Sequence, residues 1–441
     1  MFREIQYGSC SPLEGEEKPL EERKEALEMA KRVLRYFLAF LKWVLAAVVL
    51  GGICGSVGTL FHKTIDFATE FRMGHPWMVW FLPLAGILTL LLYRLCKVNF
   101  GAGTNLIIES VSTNEHVPAF LAPLIFAGTS LSHLFGASVG REGAALQLGG
   151  SIGHNFGELL HFDEDDVRVL AMCGMTACFS ALFGTPLTAA IFVLEVISVG
   201  AIRYNAFLPC IIASYSAFVT AGLWGVKPLV FTLVNEIPEL STASFLQVTG
   251  LAALCGLVGI LFCVAIHSAT HFSGKLLRNP YLRIALGGLL MAVLTTVFGL
   301  YDYNGAGTDI IQNAMNGNVK PAAFLLKILL TALCVGVGFR GGEIVPTMFV
   351  GATFGCMMGP LLGLDPDFAA AIALVALFCS VVNCPIASIF LAVELFGTLN
   401  LPLFAIAIAV SYVLSGYFGL YSSQKIVFSK IKQQIIDANT K

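Results

Sequence analysis

The sequence predicts a polytopic membrane protein with tilted or broken helices and two homologous halves. Three observations support this prediction: a very apolar composition, apolar runs that are often too short to cross a bilayer, and a set of motifs that occurs twice. Of the 441 residues, 57% are hydrophobic and 12% are charged, and the mean hydropathy is +0.81. Soluble domains carry about 25% charged residues. The composition therefore excludes a soluble globular protein.

Apolar runs recur along almost the whole chain, from residues 36–61 to residues 401–418. Several of them, such as 188–199, are shorter than the ~20 residues that a helix needs to cross the bilayer upright. These short runs predict tilted or broken helices. Irregular backbone survives at membrane depth only where it is buried or lines a cavity, so broken helices are typical of transporters and channels.

Three motifs occur twice in the same order, at displacements of 204, 201 and 199 residues. The pairs are GAGTNLII at 101–108 with GAGTDII at 305–311, GREG at 140–143 with GGEIVP at 341–346, and TPLTAAIFVLE at 185–195 with CPIASIFLAVE at 384–394. A nearly constant displacement indicates a duplication, and duplicated halves commonly surround a site near the bilayer midplane.

The duplication predicts four segments. We expect an N-terminal arm with a surface helix at residues 1–40, membrane repeats at 41–225 and 245–420, and a short tail at 421–441. A polar linker near residues 235–244 joins the two repeats.

The most informative stretch is Gly140-Arg141-Glu142-Gly143, in which two charged residues stand among glycines. Charged residues in a membrane segment are usually functional. The glycines permit a tight turn, and the apolar run after Gly143 predicts a helix that starts there. Free N–H groups and the positive end of the helix dipole form a site for an anion. Glu142 would compete with a free anion for this site until protonation releases it.

The acidic residues also have purely structural interpretations. Glu142 could form an internal salt bridge with Arg141, and Glu343 could cap a helix in the second half. Glu195 and Glu394 end apolar helices at equivalent positions. This placement favours structural hydrogen bonds over an accessory role in proton transfer.

The other polar residues predict no metal site and no cofactor. The run Asp163–Asp166 precedes an apolar helix and is expected to cap it rather than to bind calcium. His154, His161 and His267 are expected to be isolated. The twelve cysteines include no CxxC pair, so we interpret them as small packing residues without a disulfide framework. The net charge of −2 gives no indication of a nucleic-acid partner.

Basic residues flank the apolar part of the chain at both ends. They include Lys31, Arg32, Arg35 and Lys42 before it and Lys425, Lys430, Lys432 and Lys441 after it. Because basic residues are enriched on the cytoplasmic side, we expect a multi-pass protein of the cell membrane with both termini in the cytoplasm.

Together, these motifs resemble the CLC family of chloride channels and proton-coupled anion transporters. GREG at 140–143 followed by Gln147, the GxGxx element at 101–105, the Gly342-x-x-x-Pro346 element and the late Leu420-Tyr421-Ser422 occur in the order and spacing of that family. The resemblance implies an all-α fold with inverted-topology halves. It also implies a homodimer with one anion pathway per subunit, and a halide anion and a proton as the transported ions.

The resemblance further assigns roles to single residues. Glu142 would be the external gating and proton-transfer glutamate. The backbone amides of Glu343 and Ile344 would hold the ion, and Tyr421, by position alone an ordinary interfacial aromatic, would donate its hydroxyl from the inner side. The candidate anion-binding residues are Ala102, Gly103, Gly140, Arg141, Gly143, Glu343, Ile344 and Tyr421.

Three departures from the family pattern indicate which branch of the CLC family the sequence resembles. Ala102 replaces the usual serine and Asn105 the usual proline. The Gly-x-Phe-x-Pro element reads Gly342-Glu343-Ile344-Val345-Pro346, so its phenylalanine is lost and a carboxylate is gained. The internal proton-transfer glutamate of chloride/proton exchangers would fall on Val196. These features are similar to the fluoride/proton antiporter branch of the family.

The predicted function is exchange of fluoride or chloride for protons, without enzymatic activity. A passive anion channel of the same fold is the alternative, which Val196 keeps open. An intramembrane enzyme that uses buried carboxylates is a remote alternative, since the sequence contains no HExxH motif.

Overall fold

The computed structural model describes residues 14–101, 103–113, 115–233, 238–398 and 400–441, with side chains from residue 23 onward. Ala102 and part of the predicted linker lie outside the described residues. The described residues form sixteen α-helices. They are α1 (Glu14–Gly74), α2 (Leu82–Leu95), α3 (Thr104–Thr113), α4 (Leu121–Leu134), α5 (Glu142–Leu159), α6 (Glu164–Phe183), α7 (Pro186–Val196), α8 (Phe207–Leu223), α9 (Thr242–Leu276), α10 (Pro280–Val297), α11 (Thr308–Met315), α12 (Ala323–Val337), α13 (Ile344–Met358), α14 (Pro366–Val382), α15 (Pro385–Phe396) and α16 (Leu401–Leu414).

The helices fall into two series of eight, α1–α8 and α9–α16, with the repeated motifs at matching places. The GREG motif spans the start of α5 and the GGE motif precedes α13. In both series a long helix ends in a left-handed residue, Gly184 after α6 and Asn383 after α14. The next helix then begins with a proline at its first turn, where the missing N–H is harmless. The predicted duplication is thus confirmed at the level of helices.

Glycines allow equivalent helix pairs to pack at very short distance in both halves. A side chain at Gly149 of α5 would overlap the carbonyl of Gly174 in α6. In the second half, a side chain at Gly355 of α13 would overlap the carbonyl of Ala369 in α14. Small residues that bring backbones together are the usual basis of helix packing in membranes. The helices α5 and α13, which begin at the GREG and GGE motifs, are therefore held by close backbone contact.

Six helical segments of the described chain are long and apolar enough to cross a membrane. They are 23–74, 76–95, 164–183, 204–223, 242–276 and 280–297. Seven further apolar helices have only 10–17 residues, among them Pro186–Val196 and Ile344–Met358. The prediction of short helices is confirmed.

By its internal contacts the chain divides into two units, residues 1–46 and 47–441. The first unit holds the N-terminal part of α1, which exposes large apolar side chains from Leu27 to Leu45. The second unit holds the other fifteen helices and the candidate site.

In the part of the chain that the structure describes, three short strands depart from the all-α prediction. They are β1 (Ser198–Val199), β2 (Lys425–Phe428) and β3 (Ile435–Asn439), in the order β1-β2-β3. The first pair is parallel and the second antiparallel. The sheet attaches the C-terminal segment to the chain directly after α7. The remaining regular elements of the described chain are all helices, which confirms the predicted class.

The acidic run before α6 caps the helix as predicted. The Asp163 carboxylate accepts a hydrogen bond from the backbone N–H of Asp166 at 2.9 Å. Glu164, Asp165 and Asp166 occupy the first turn, where negative charge is favourable for the helix dipole.

Candidate functional site

The two glycine motifs meet and pair through their backbones. Gly140 donates its N–H to the Gly342 carbonyl at 2.6 Å, and Gly342 donates to the Gly140 carbonyl at 2.7 Å. A side chain at Gly342 would overlap the backbone nitrogen of Gly143. Glycine is therefore required for this approach, which no larger residue permits without displacing backbone. The pairing places the beginnings of α5 and α13 side by side.

The starts of α5 and α13 provide amide groups for an anion. In α5 the first backbone N–H with a helical hydrogen bond is that of Ala145, which donates to the Arg141 carbonyl at 2.9 Å. In α13 the first such N–H is that of Thr347, which donates to the backbone carbonyl of Glu343 at 3.0 Å. The preceding N–H groups have no partner within their helix. Two positive helix ends therefore converge at the Gly140–Gly342 pair.

The region where the starts of α5 and α13 meet at the Gly140–Gly342 pair is called the junction below. Glu142 lies at this junction and is 2% exposed. Its Oε2 accepts the backbone N–H of Arg141 at 3.0 Å, and its Oε1 lies 3.5 Å from the Arg141 Nε. The Arg141 guanidinium also donates to the Asp66 carboxylate. The carboxylate thus lies against the start of its own helix and within reach of the Arg141 charge. The predicted competition for the amides and the internal salt bridge are both compatible with this position.

Glu343 is the second acidic residue at the junction. It occupies the N-cap position of α13, but its side chain makes no capping hydrogen bond. The structural alternative of a capping carboxylate therefore has no support in the geometry. A side chain at Gly143 would lie 3.4 Å from Glu343 Oε2. The carboxylate consequently faces the start of α5.

Tyr421 approaches the junction from another part of the chain. The residue is 3% exposed, and its hydroxyl has no hydrogen-bond partner among the described residues. Buried hydroxyl groups nearly always have a partner. An unpaired buried hydroxyl near amide-lined helix ends fits a donor to a bound anion.

The start of α3 is joined to the same region by side chains. Gln147 of α5 donates to the Thr104 hydroxyl at 2.8 Å. Ser423 donates its N–H to the Asn105 side chain at 3.3 Å and its hydroxyl to Glu109 at 2.5 Å. Asn105, where the family usually has proline, thus holds the Tyr421 segment. Gly103 directly precedes α3 in this region.

A cavity of about 580 Å³ leads to Arg141. Its polar lining includes the side chains of Asp66, Arg72, His133 and Asp309. A smaller cavity of about 120 Å³ adjoins both Arg141 and Glu142. Tyr421 lines neither cavity. Arg141 lines both cavities, so Glu142 lies next to a residue of the larger cavity, which is called the vestibule below.

Glu195 and Glu394 cap helices of the opposite half. Glu195 accepts the backbone N–H groups of Ile386 and Ala387 at 3.2 and 2.9 Å. Glu394 accepts those of Leu187 and Thr188 at 2.9 and 2.8 Å. Each carboxylate thus occupies the start of a helix that belongs to the other repeat. Val196, next to Glu195, is fully buried.

The junction assembles most of the predicted site. Gly140, Arg141, Glu142, Gly143, Glu343 and Ile344 lie together at the two helix starts. Tyr421 and Gly103 are linked to them through α3. Ala102 lies outside the described residues, and Glu195 and Glu394 lie at a separate pair of helix starts.

Sequence reasoning missed several buried cations near the site. Lys327 is fully buried and donates to the carbonyls of Tyr303 and Gly305 at 3.1 and 2.6 Å. Arg72 donates to the His133 carbonyl at 2.6 Å. Arg340 lies over the ring of Tyr93, with the guanidinium carbon 4.5 Å from the ring centre. A single charged residue inside an apolar run, such as Lys327, is the signal that could have identified them.

The expectation that His154 is isolated is wrong. Its Nε2 lies 3.3 Å from Glu158 Oε1, and His116 Nδ1 lies 3.1 Å from the same oxygen. Glu158 follows His154 by one helical turn, but His116 comes from the segment before α4. The spacing along the chain gives no indication of that contact.

Comparisons with known proteins agree with this architecture. The family model described as voltage gated chloride channel matches residues 85–416. A chloride/fluoride channel protein of Pseudomonas syringae pv. tomato is 38% identical over 396 residues, which cover 88% of this chain and 87% of that protein. The H(+)/Cl(-) exchange transporter ClcA of Vibrio cholerae serotype O1 is 28% identical over 80% of this chain and 82% of its own.

Solved structures show the same fold. The crystal structure of a CLC-type fluoride/proton antiporter matches with a TM-score of 0.84 and 32% identity, over 88% of this chain and 98% of that chain. A slow cyanobacterial Cl-/H+ antiporter matches with a TM-score of 0.73 at 19% identity, over 85% of this chain and 94% of that chain, which indicates the fold alone. The predicted all-α fold with two inverted-topology halves is confirmed. The chain belongs to the voltage-gated chloride channel family, the CLC family of the sequence motifs.

Proposed function

We propose that this protein exchanges halide anions for protons across a membrane. The observation that carries the proposal is the buried Glu142 carboxylate, which lies at the joined starts of α5 and α13. A single carboxylate in this position links the two ions, because it can either occupy the anion site or carry a proton. The relatives named above include proton-coupled anion exchangers, which supports the same function for this chain.

The anion site consists of amide groups and one hydroxyl. In this proposal the N–H groups of Glu343 and Ile344, with the helix start at Gly143, hold the ion from the outer and central side. Tyr421 donates its hydroxyl from the inner side. Amides and dipole ends stabilise an anion without a buried full positive charge, which permits release.

The exchange cycle then follows from competition between the Glu142 carboxylate and the halide for the same site. The ionised Glu142 carboxylate lies at the helix starts and repels a second anion. A proton from the vestibule neutralises it and removes this repulsion, and the halide takes its place. Arg141, which contacts both Glu142 and Asp66, stabilises the ionised form and orients it.

We further propose Glu343 as the second acidic group of the proton route. Its carboxylate makes no capping bond and faces the start of α5. Val196 offers no carboxylate at the place where chloride/proton exchangers have one, and Glu195 and Glu394 are engaged as caps. Glu343 is therefore the second acid at the joined helix starts, whereas Glu109 of α3 is engaged with the Ser423 hydroxyl.

Fluoride is the proposed physiological anion. The 38% identical relative is named for chloride and fluoride, and the 32% identical structure is a fluoride/proton antiporter. The Glu343 pattern and the loss of the serine at Ala102 support the same branch.

The assembly and orientation are proposals based on the family resemblance and the basic flanks. The protein is a homodimer with one pathway per subunit, and both termini lie in the cytoplasm. The segments are the arm at 1–40, the repeats at 41–225 and 245–420, and the tail at 421–441.

A passive anion channel is the second candidate, which the buried Val196 favours. The test is an ion-flux assay in liposomes that contain the purified protein, with a fluoride gradient and then a chloride gradient. We expect each gradient to drive protons against their own gradient, with faster proton movement for fluoride. Halide flux without uphill proton movement would exclude exchange and favour the channel.

A further inference from the structure

His116, His154 and Glu158 form a cluster at the opposite end of α5 from Glu142. His154 and Glu158 are one turn apart on α5, and His116 lies in the connection between α3 and α4. Their ligand atoms all lie within 4.8 Å of one another. Glu158 Oε1 is 3.1 Å from His116 Nδ1 and 3.3 Å from His154 Nε2. Two imidazoles and one carboxylate thus converge on one point.

The separations between the ligand atoms suit one bound ion. Glu158 Oε1 is 3.3 Å from His154 Nε2 and 3.1 Å from His116 Nδ1. These separations are close to those between ligands of a tetrahedral ion with bonds of about 2.0–2.1 Å. The backbone N–H of Val117 donates to His154 Nε2 at 3.4 Å, a long hydrogen bond that a metal ion on this nitrogen would replace.

We propose that this cluster binds a divalent transition-metal ion of the zinc class. Neutral imidazole nitrogens and a carboxylate oxygen are the donors that zinc prefers, and three protein ligands leave a position for water. Calcium and magnesium prefer oxygen-only sites, so the donor set disfavours them.

The site is both accessible and pre-arranged. The side chains of His116 and Glu158 are 69% and 43% exposed, while that of His154 is 6% exposed and therefore fixed. Asn155 donates to the Val117 carbonyl at 3.2 Å and to the Ser151 carbonyl at 2.8 Å. The Val117 carbonyl is thus held against α5 by Asn155, which positions the preceding His116.

The metal site is separate from the transport site. His154 lies twelve residues after Glu142 on the same helix, or roughly 18 Å at 1.5 Å per residue. The bound ion would tie the α3–α4 connection to the end of α5. The chain that carries His116 follows directly on α3, whose Asn105 accepts the Ser423 N–H.

Metal binding can be measured without transport, so the inference does not depend on the proposed exchange. The purified protein, prepared without a polyhistidine tag and stripped with a chelator, is dialysed against Zn²⁺. We expect one tightly bound Zn²⁺ per chain. His116→Ala and Glu158→Gln should each weaken binding by about tenfold or more, because a ligand is lost. Co²⁺ in place of Zn²⁺ should give visible absorption bands that disappear in both variants.

His271→Ala serves as the matched control, because His271 is an exposed histidine on α9 away from the cluster. It should bind Zn²⁺ as the unaltered protein does. Thermal melting of the metal-free variants shows whether they are folded. Absence of Zn²⁺ binding to the unaltered protein, or equal binding in folded His116→Ala and Glu158→Gln, would overturn the proposal.

Discussion

Gly140 and Gly342 exchange two backbone hydrogen bonds, of 2.6 and 2.7 Å, across the boundary between the two halves. The pair is an isolated antiparallel bridge in a helical protein. It joins the two motifs that carry Glu142 and Glu343, and it sets the spacing of the helix starts behind them. The candidate site is thus a product of the duplication rather than of either half.

The close approach at Gly342 predicts a strong effect of a single methyl group. In Gly342→Ala the new Cβ would overlap the Gly143 nitrogen and separate the two helix starts. We expect halide/proton exchange to fall at least tenfold and the melting temperature to decrease. Flux in liposomes and thermal melting in detergent measure the two effects. Gly52→Ala is the control, since nothing lies within 4 Å of its Cβ position. Wild-type exchange in Gly342→Ala would show that the contact is unimportant.

The reciprocal caps predict a structural rather than a proton-carrying role for Glu394. Glu394→Ala leaves the N–H groups of Leu187 and Thr188 without an acceptor. Each unpaired buried donor costs about 1–3 kcal/mol, so thermal stability should decrease clearly. Glu394→Gln keeps one acceptor oxygen and should be milder. Each of the two variants, if it remains folded, should retain the proton-to-halide ratio of the unaltered protein. A changed ratio in Glu394→Gln would instead indicate proton transfer.

The unpaired Tyr421 hydroxyl predicts a binding effect without a folding effect. A hydrogen bond to a charged group contributes about 1.5–3 kcal/mol, so Tyr421→Phe should weaken halide binding by about ten- to a hundredfold. Thermal stability should not change, because the hydroxyl has no partner among the described residues. Isothermal titration with fluoride measures the affinity, and Tyr301→Phe, at a 40% exposed tyrosine, is the control. Equal affinity in Tyr421→Phe would remove the hydroxyl from the site.

The sequence predicted the features that are local or repeated. The apolar runs, the duplication and the Asp163 cap depend on neighbouring residues or on a constant displacement, and they are confirmed. The start of a helix near Glu142 likewise follows from the adjacent glycines.

The missed features depend on contacts between distant segments. Glu195 reaches Ile386 and Ala387 almost 200 residues away, and its partner atoms are backbone amides that no sequence pattern marks. The pairing of Arg141 with Asp66 and of His116 with Glu158 is long-range in the same way. The β2 and β3 strands escaped prediction because they are short and follow the last apolar run.

The central claim is that one carboxylate alternates between the anion site and the bound proton. Its most direct test is proton movement in liposomes that contain Glu142→Gln, driven by a fluoride gradient and measured together with fluoride flux. Glutamine has the shape of a protonated glutamate but cannot release a proton, so fluoride should still pass while proton movement stops. Uphill proton movement at the rate of the unaltered protein would contradict the account.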